Sequence, residues 1–141
     1  MKRYIFLIFQ IIGIMNVSVV VAQLYQVYPI PFDKVQIDDE FWSHRLKSHS
    51  INTLQTCIHQ TRDSTERINN FKKAAGLMEG QHKGIYFDDS DVYKAMEGIA
   101  YSLINNPNSE YEKLLDEWIS YISKAQRTDG YLNTFYTLNH P

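Results

Sequence analysis

Phe87-Asp88-Asp89-Ser90-Asp91-Val92-Tyr93-Lys94, running on to Met96, Ile99, Ala100 and Leu103, is the stretch on which the fold turns. Apolar residues three and four apart predict an amphipathic helix. Ser90 is placed to cap it, and Asp91 complements the helix dipole in the first turn. The pattern stops before Asn105-Asn106-Pro107, and Asn108 or Ser109 can cap a second helix. There Tyr111, Leu114, Leu115, Trp118, Ile119, Ile122 and Ala125 mark one broad apolar face. Lys124 and Arg127 suit its C-terminal end, and Asp129-Gly130 turns the chain, with Gly130 at the left-handed position. A connection of about five residues makes the two helices antiparallel neighbours, an αα-hairpin.

Upstream, Asp38 or Asp39 can cap a helix that starts near Phe41. Trp42, Leu46, Leu54 and Ile58 give that helix its stripe, and Thr61 to Ser64 close it. Residues 69–84 read as a loop with a weak helical tendency from Phe71 to Leu77, broken by Gly76, Gly80 and Gly84. Residues 23–40 read as an extended lead-in. Tyr28-Pro29-Ile30-Pro31 disfavours helix, and Val35-Gln36-Ile37 alternates like a short strand or edge segment.

The first 22 residues decide the compartment. Met1-Lys2-Arg3-Tyr4 is a basic start, Ile5 to Val21 is almost continuously apolar, and Val20-Val21-Ala22 offers small residues for cleavage before Gln23. This is the layout of a signal peptide, and it predicts a secreted or periplasmic protein with no stable membrane span after cleavage. An uncleaved anchor is the rival, but Gln10 and Asn16 interrupt the run. Cleavage after Ala22 removes Lys2 and Arg3 and no acid, so the formal charge moves from −2 to −4. A mildly acidic chain with scattered basic residues has no electrostatic footprint for nucleic acid.

The single cysteine, Cys57, excludes an internal disulfide framework and reads as a small apolar filler on a helix. His44, His49 and His59 lack the i, i+4 spacing of a helical zinc pair, and no metal site is expected within these residues. The Asp88–Asp91 cluster lacks the twelve-residue pattern of a calcium loop. No acid pair forms a catalytic dyad; Glu97, beside the Met96 stripe, is the glutamate expected to be partly buried. One hairpin and one earlier helix cannot bury this many aromatic residues, which predicts the front piece of a larger helical protein.

Phe87–Lys94 and Ala125–Thr134 each set polar and aromatic groups beside a helix end. A sugar pocket uses that combination, since aromatic rings pack on C–H faces and one aspartate accepts from two adjacent hydroxyls. The ordinary alternative makes Asp88 and Asp89 solvated loop acids and Tyr131, Phe135 and Tyr136 packing residues.

Phe41-Trp42, Glu66-Arg67-Ile68-Asn69-Asn70-Phe71, Gly84 through Lys94, and Ala125-Gln126 through Asp129-Gly130-Tyr131-Leu132-Asn133-Thr134 together resemble the start of glycoside hydrolase family 127, the β-L-arabinofuranosidase-like proteins. The resemblance covers roughly residues 35–136. It implies that residues 41–141 are the N-terminal part of an all-α, (α/α)6 six-hairpin barrel, followed in the family by β-sandwich domains. It implies a retaining enzyme with a zinc-bound cysteine thiolate as nucleophile and a glutamate as acid/base. The implied substrate is an arabinose-containing oligosaccharide or polysaccharide of plant origin, cleaved at non-reducing-end L-arabinofuranose. The zinc ligands, nucleophile and acid/base would lie beyond Pro141. Cys57 does not match the nucleophile's context, and this stretch alone is expected to be inactive and to bind no zinc. By position, the start of the Ser90 helix would sit at the barrel mouth, so Asp89, Ser90 and Asp91 are the expected substrate-binding residues. Two other readings stand beside this one: a non-catalytic helical domain that binds a glycan or a protein, and a different helical-barrel enzyme such as an unsaturated uronyl hydrolase.

Overall fold

The computed structural model describes residues 27–140, so the predicted signal peptide and the first four residues of the lead-in lie outside the described residues. The residues from Pro31 onward form one compact unit; of the four before it, Val27, Tyr28 and Ile30 are exposed. Among the described residues there is no strand. Val35-Gln36-Ile37, read as a short strand or edge segment, follows a single 3-10 turn at Phe32–Lys34 and has no strand to pair with among the described residues.

The first long helix is built in pieces. Helix α1 (Trp42–Ser48) passes through a π turn (His49–Thr53) into α2 (Leu54–His59), and a second π turn (Gln60–Ser64) ends it. Asp39 caps it as expected: its Oδ1 accepts from the N–H groups of Phe41, at 2.8 Å, and Trp42. Glu66 then adopts a left-handed conformation (φ 55°) and redirects the chain into α3 (Arg67–Ala74).

Helix α3 corrects the reading of residues 69–84 as a weakly helical loop only over 69–74; residues 75–84 are turn and loop as read. Asn69-Asn70 looks like turn sequence, but Ile68, Phe71 and Ala75 fall at helical spacing and face the core. Tertiary burial overrides the weak propensity of the two asparagines. Helices α4 (Asp89–Asn105) and α5 (Ser109–Ala125) are the predicted hairpin, joined by three residues rather than five. Asn108 caps α5, accepting from Glu110 N–H at 3.0 Å and Tyr111 N–H at 3.2 Å. Ser90, read as the cap of α4, lies inside its first turn, because the helix starts two residues earlier than that reading implies, with Asp88 in the capping position. Asp88 makes no capping bond there, since its carboxylate is drawn to Arg67 instead. A short helix α6 (Thr134–Asn139) follows the Gly130 turn, where φ is 87°.

Two core clusters hold the helices. Ile68 and Phe71 from α3, Val92 and Ala95 from α4, and Trp118 and Ala125 from α5 form the larger one. Leu54 and Ile58 from α2 meet Ile99 of α4 in the second, with Leu103, Tyr111, Leu114 and Leu115 packed around them. Large apolar side chains nonetheless stay exposed on the long helices, among them Trp42, Leu46, Tyr101, Ile104 and Ile119. Glu97, expected to be partly buried, is exposed, because the narrow buried stripe of α4 runs through Val92, Ala95 and Ile99.

Candidate functional site

The N-terminal end of α4 gathers most of the polar contacts that cross between elements. Successive helical residues are about 100° apart, so Asp89 and Asp91 project about 200° apart and cannot serve the same partner. Their contacts follow that geometry. Asp89 is buried and both its oxygens are engaged: Oδ2 accepts from Thr134 N–H at 2.8 Å and Oδ1 from the Thr134 hydroxyl at 2.5 Å. Asp91 is half-exposed and lies 3.5 Å from Arg67 Nε and 3.6 Å from Lys94 Nζ. With Lys94 it lines a cavity of about 360 Å³ between α2 and α4 that also borders Leu54, Cys57, Ala95 and Gly98. Ser90 is half-buried between them. The three expected site residues therefore share one helix end but not one face.

Asp88, read as a solvated loop acid, is 2% exposed. Its Oδ2 accepts from Arg67 Nη1 at 2.5 Å and from Ile85 N–H at 2.7 Å. The fit leaves no room at Gly84, where an added Cβ would stand 1.9 Å from that same oxygen with φ at +104°. Asn70 of α3 is fully buried and brackets Lys83: its Nδ2 donates to Lys83 O at 2.9 Å, and its Oδ1 accepts from Lys83 N–H at 3.0 Å. Nδ2 also meets Nε2 of His82 at 3.2 Å. Burial pushes the His82 imidazole down from its ordinary value, against the opposing pull of the Asp89 and Asp88 carboxylates.

Beside this network lies an aromatic face. Phe135 stands edge-on to His82 (ring centroids 5.2 Å), Tyr136 (5.2 Å) and Tyr86 (6.4 Å), and Tyr86 is edge-on to Phe87 at 5.1 Å. Asn133 ties the two halves together, donating through Nδ2 to Tyr86 O at 3.1 Å while its Oδ1 caps α6 at Tyr136 N–H, 3.0 Å away. Tyr86, Phe87 and Tyr136 are each about half exposed. Of the aromatic residues read as packing groups, Phe135 is half-buried at the centre of this face, whereas Tyr136 and Tyr131 are each about half exposed.

Arg67, Asn70, Gly84 and Thr134 are the site's organising residues that sequence reasoning did not single out by role. Ile68 and Phe71, three apart, are the signal that could have put Arg67 and Asn70 on a helix. Among the described residues, no three His, Cys, Asp or Glu side chains gather as a metal would need, and Cys57 is exposed. The residues present here do not fit a zinc site.

The described residues are all-helical around one antiparallel hairpin, and the solved structures they resemble belong to the class of six-hairpin glycosidase barrels. The chain belongs to the β-L-arabinofuranosidase GH127 family, whose catalytic-domain model matches residues 34–141. It is 41% identical over 81 residues to a non-reducing end β-L-arabinofuranosidase of Bifidobacterium longum subsp. longum, a match covering 57% of this chain and 12% of that protein. Its structure superimposes on the crystal structure of a GH127 β-L-arabinofuranosidase from Geobacillus stearothermophilus T6 with a TM-score of 0.73 and 35% identity, over 76% of this chain and 18% of that one. A second solved GH127 β-arabinofuranosidase matches with a TM-score of 0.71 and 37% identity, over 80% and 18%. The helices of this chain are thus the first part of an (α/α)6 barrel, and the chain spans less than a fifth of the length of these relatives.

Proposed function

We propose that this chain forms the opening segment of the catalytic domain of a secreted β-L-arabinofuranosidase, which removes non-reducing-end L-arabinofuranose from plant glycans. The observation that carries the reading is the aromatic face of Tyr86, Phe135 and Tyr136, set against the carboxylate-rich start of α4. Ring faces take the C–H side of a furanose, and carboxylates accept from its hydroxyls. In this reading Asp91 and Ser90 meet sugar hydroxyls on the other side of the helix end from the aromatic face, Asp91 at the cavity between α2 and α4, while Asp89, already bound to Thr134, holds the aromatic wall in place. The retaining zinc–cysteine chemistry would come from the rest of the catalytic domain, and the residues described here bind and orient the sugar.

Activity, binding and processing each supply a test. The complete gene product should release L-arabinose from β-L-arabinofuranosyl oligosaccharides, and Asp91→Ala should raise KM; unchanged KM and kcat would sink the role of Asp91. Saturation-transfer NMR should show methyl β-L-arabinofuranoside contacting the protein, with the signal lost in Tyr136→Ala. If the glycan binds but no hydrolysis occurs, the reading becomes a glycan-binding helical domain. Secretion is tested by sequencing the mature N-terminus, which should begin at Gln23.

A further inference from the structure

The orientation of the Asn70 amide is fixed by Lys83. Oδ1 faces the Lys83 N–H and Nδ2 faces the Lys83 carbonyl, and a flipped amide would oppose donor to donor and acceptor to acceptor. Nδ2 is therefore also the atom that meets His82 Nε2 at 3.2 Å, and it can only donate. An acceptor at Nε2 places the ring proton on Nδ1 and requires a neutral imidazole. Protonating Nε2 would set two donors against each other at a fully buried amide, and this contact would break.

The position of His82 makes that protonation consequential. The ring is edge-on to Phe135, the centre of the aromatic face, and it begins the segment 82–88 that carries Tyr86 and Phe87. Four charged groups act on it: Lys73 and Arg67 from α3 disfavour the imidazolium, and Asp88 and Asp89 at the start of α4 favour it. Both carboxylates are otherwise committed, Asp88 to Arg67 and Asp89 to Thr134. His140 lies on the far side of Phe135, with ring centroids 6.3 Å apart.

We infer that His82 is a positioning residue whose neutral Nδ1–H form, seated on Asn70, holds the Tyr86–Phe135 face in register and releases it on protonation. The consequence for sugar binding rests on the proposed function, whereas the latch itself does not.

The test therefore uses the full chain without sugar. At neutral pH, the imidazole ¹⁵N shifts of His82 should read as protonated at Nδ1 and bare at Nε2; an Nε2–H tautomer or an imidazolium overturns the inference. Hydrogen exchange at the Lys83 amide, corrected for intrinsic chemistry, should lose at least about tenfold of its protection as pH falls below the ordinary imidazole range. In His82→Gln, whose amide oxygen accepts from Asn70 without titrating, the protection should persist at low pH. Protection that stays constant in the native chain, or is lost equally in the variant, refutes the latch. Failure of the furanoside to bind, with the exchange behaviour intact, would instead count against the sugar-platform reading alone.

Discussion

Thr134 closes on Asp89 across 45 positions of sequence, its backbone N–H 2.8 Å from one carboxylate oxygen and its hydroxyl 2.5 Å from the other. The N–H is one of the first-turn donors that a helix leaves unpaired, so a carboxylate in the first turn of α4 also satisfies the start of α6. Both groups are buried; losing the hydroxyl leaves Asp89 Oδ1 dry and unpaired while Oδ2 keeps the backbone N–H, and losing the carboxylate leaves both Thr134 donors without a partner. Thr134→Val should cost about 1.5–3 kcal/mol in urea unfolding, the range for a hydrogen bond to a charged group. Asp89→Asn should cost a similar amount. Because they share one contact, the double variant should fall short of the sum by about 1–2 kcal/mol; strict additivity would show that the pair is not coupled.

Gly84 and Arg67 make a second test at the same helix end. A methyl at Gly84 would overlap Asp88 Oδ2, at 1.9 Å, and crowd Arg67 Nη1, at 2.5 Å, from a backbone conformation that L-residues rarely adopt. Gly84→Ala should therefore cost at least about 3 kcal/mol, through strain combined with the loss of a buried ion pair. Arg67→Ala, which strands a carboxylate only 2% exposed, should cost about 3–5 kcal/mol. A stable Gly84→Ala chain with the Arg67–Asp88 pair intact would contradict the geometry.

Asn108→Ala isolates a local contribution. The Asn108 side chain supplies an acceptor to two first-turn N–H groups, and both belong to the helix that it caps, α5. The expected loss is about 1 kcal/mol, visible as a lower midpoint in thermal unfolding, and Asn108→Ser should recover most of it. Equal stability for the alanine variant would mean that water replaces the cap without cost.

What is legible in the sequence follows from which signals are local. The α4–α5 hairpin has long apolar periodicity and a capping asparagine, and both can be read because each element carries its own pattern. Helix α3 cannot, since its eight residues include Asn69 and Asn70, and its stability comes from seating Ile68 and Phe71 against Val92 and Trp118. The site is half legible. The cluster Asp88–Asp91 stands out by composition, but its partners Arg67, Gly84 and Thr134 lie up to 45 positions away, and no local rule pairs them. Without those partners in view, Ser90 is the natural choice of cap, and Asp88 looks like a surface acid.

Tyr93 offers a spectroscopic check on the same arrangement. Its phenol is pushed up to about 12, first by burial and then by the Asp89 carboxylate, which disfavours a second negative charge nearby. In the unfolded chain the phenol should titrate near the ordinary tyrosine value of about 10. Between those two values the unfolded state releases the proton and the folded state keeps it, so stability is unaffected at lower pH and falls as pH rises through that window. Phenolate absorbance followed through this range should show Tyr93, identified by its loss in Tyr93→Phe, ionising above the ordinary tyrosine value of about 10. Asp89→Asn should bring that ionisation to lower pH while burial keeps it above the ordinary value. If Asp89→Asn leaves it unmoved, the carboxylate is not close enough to Tyr93 to be felt, and the geometry of the first turn of α4 is wrong.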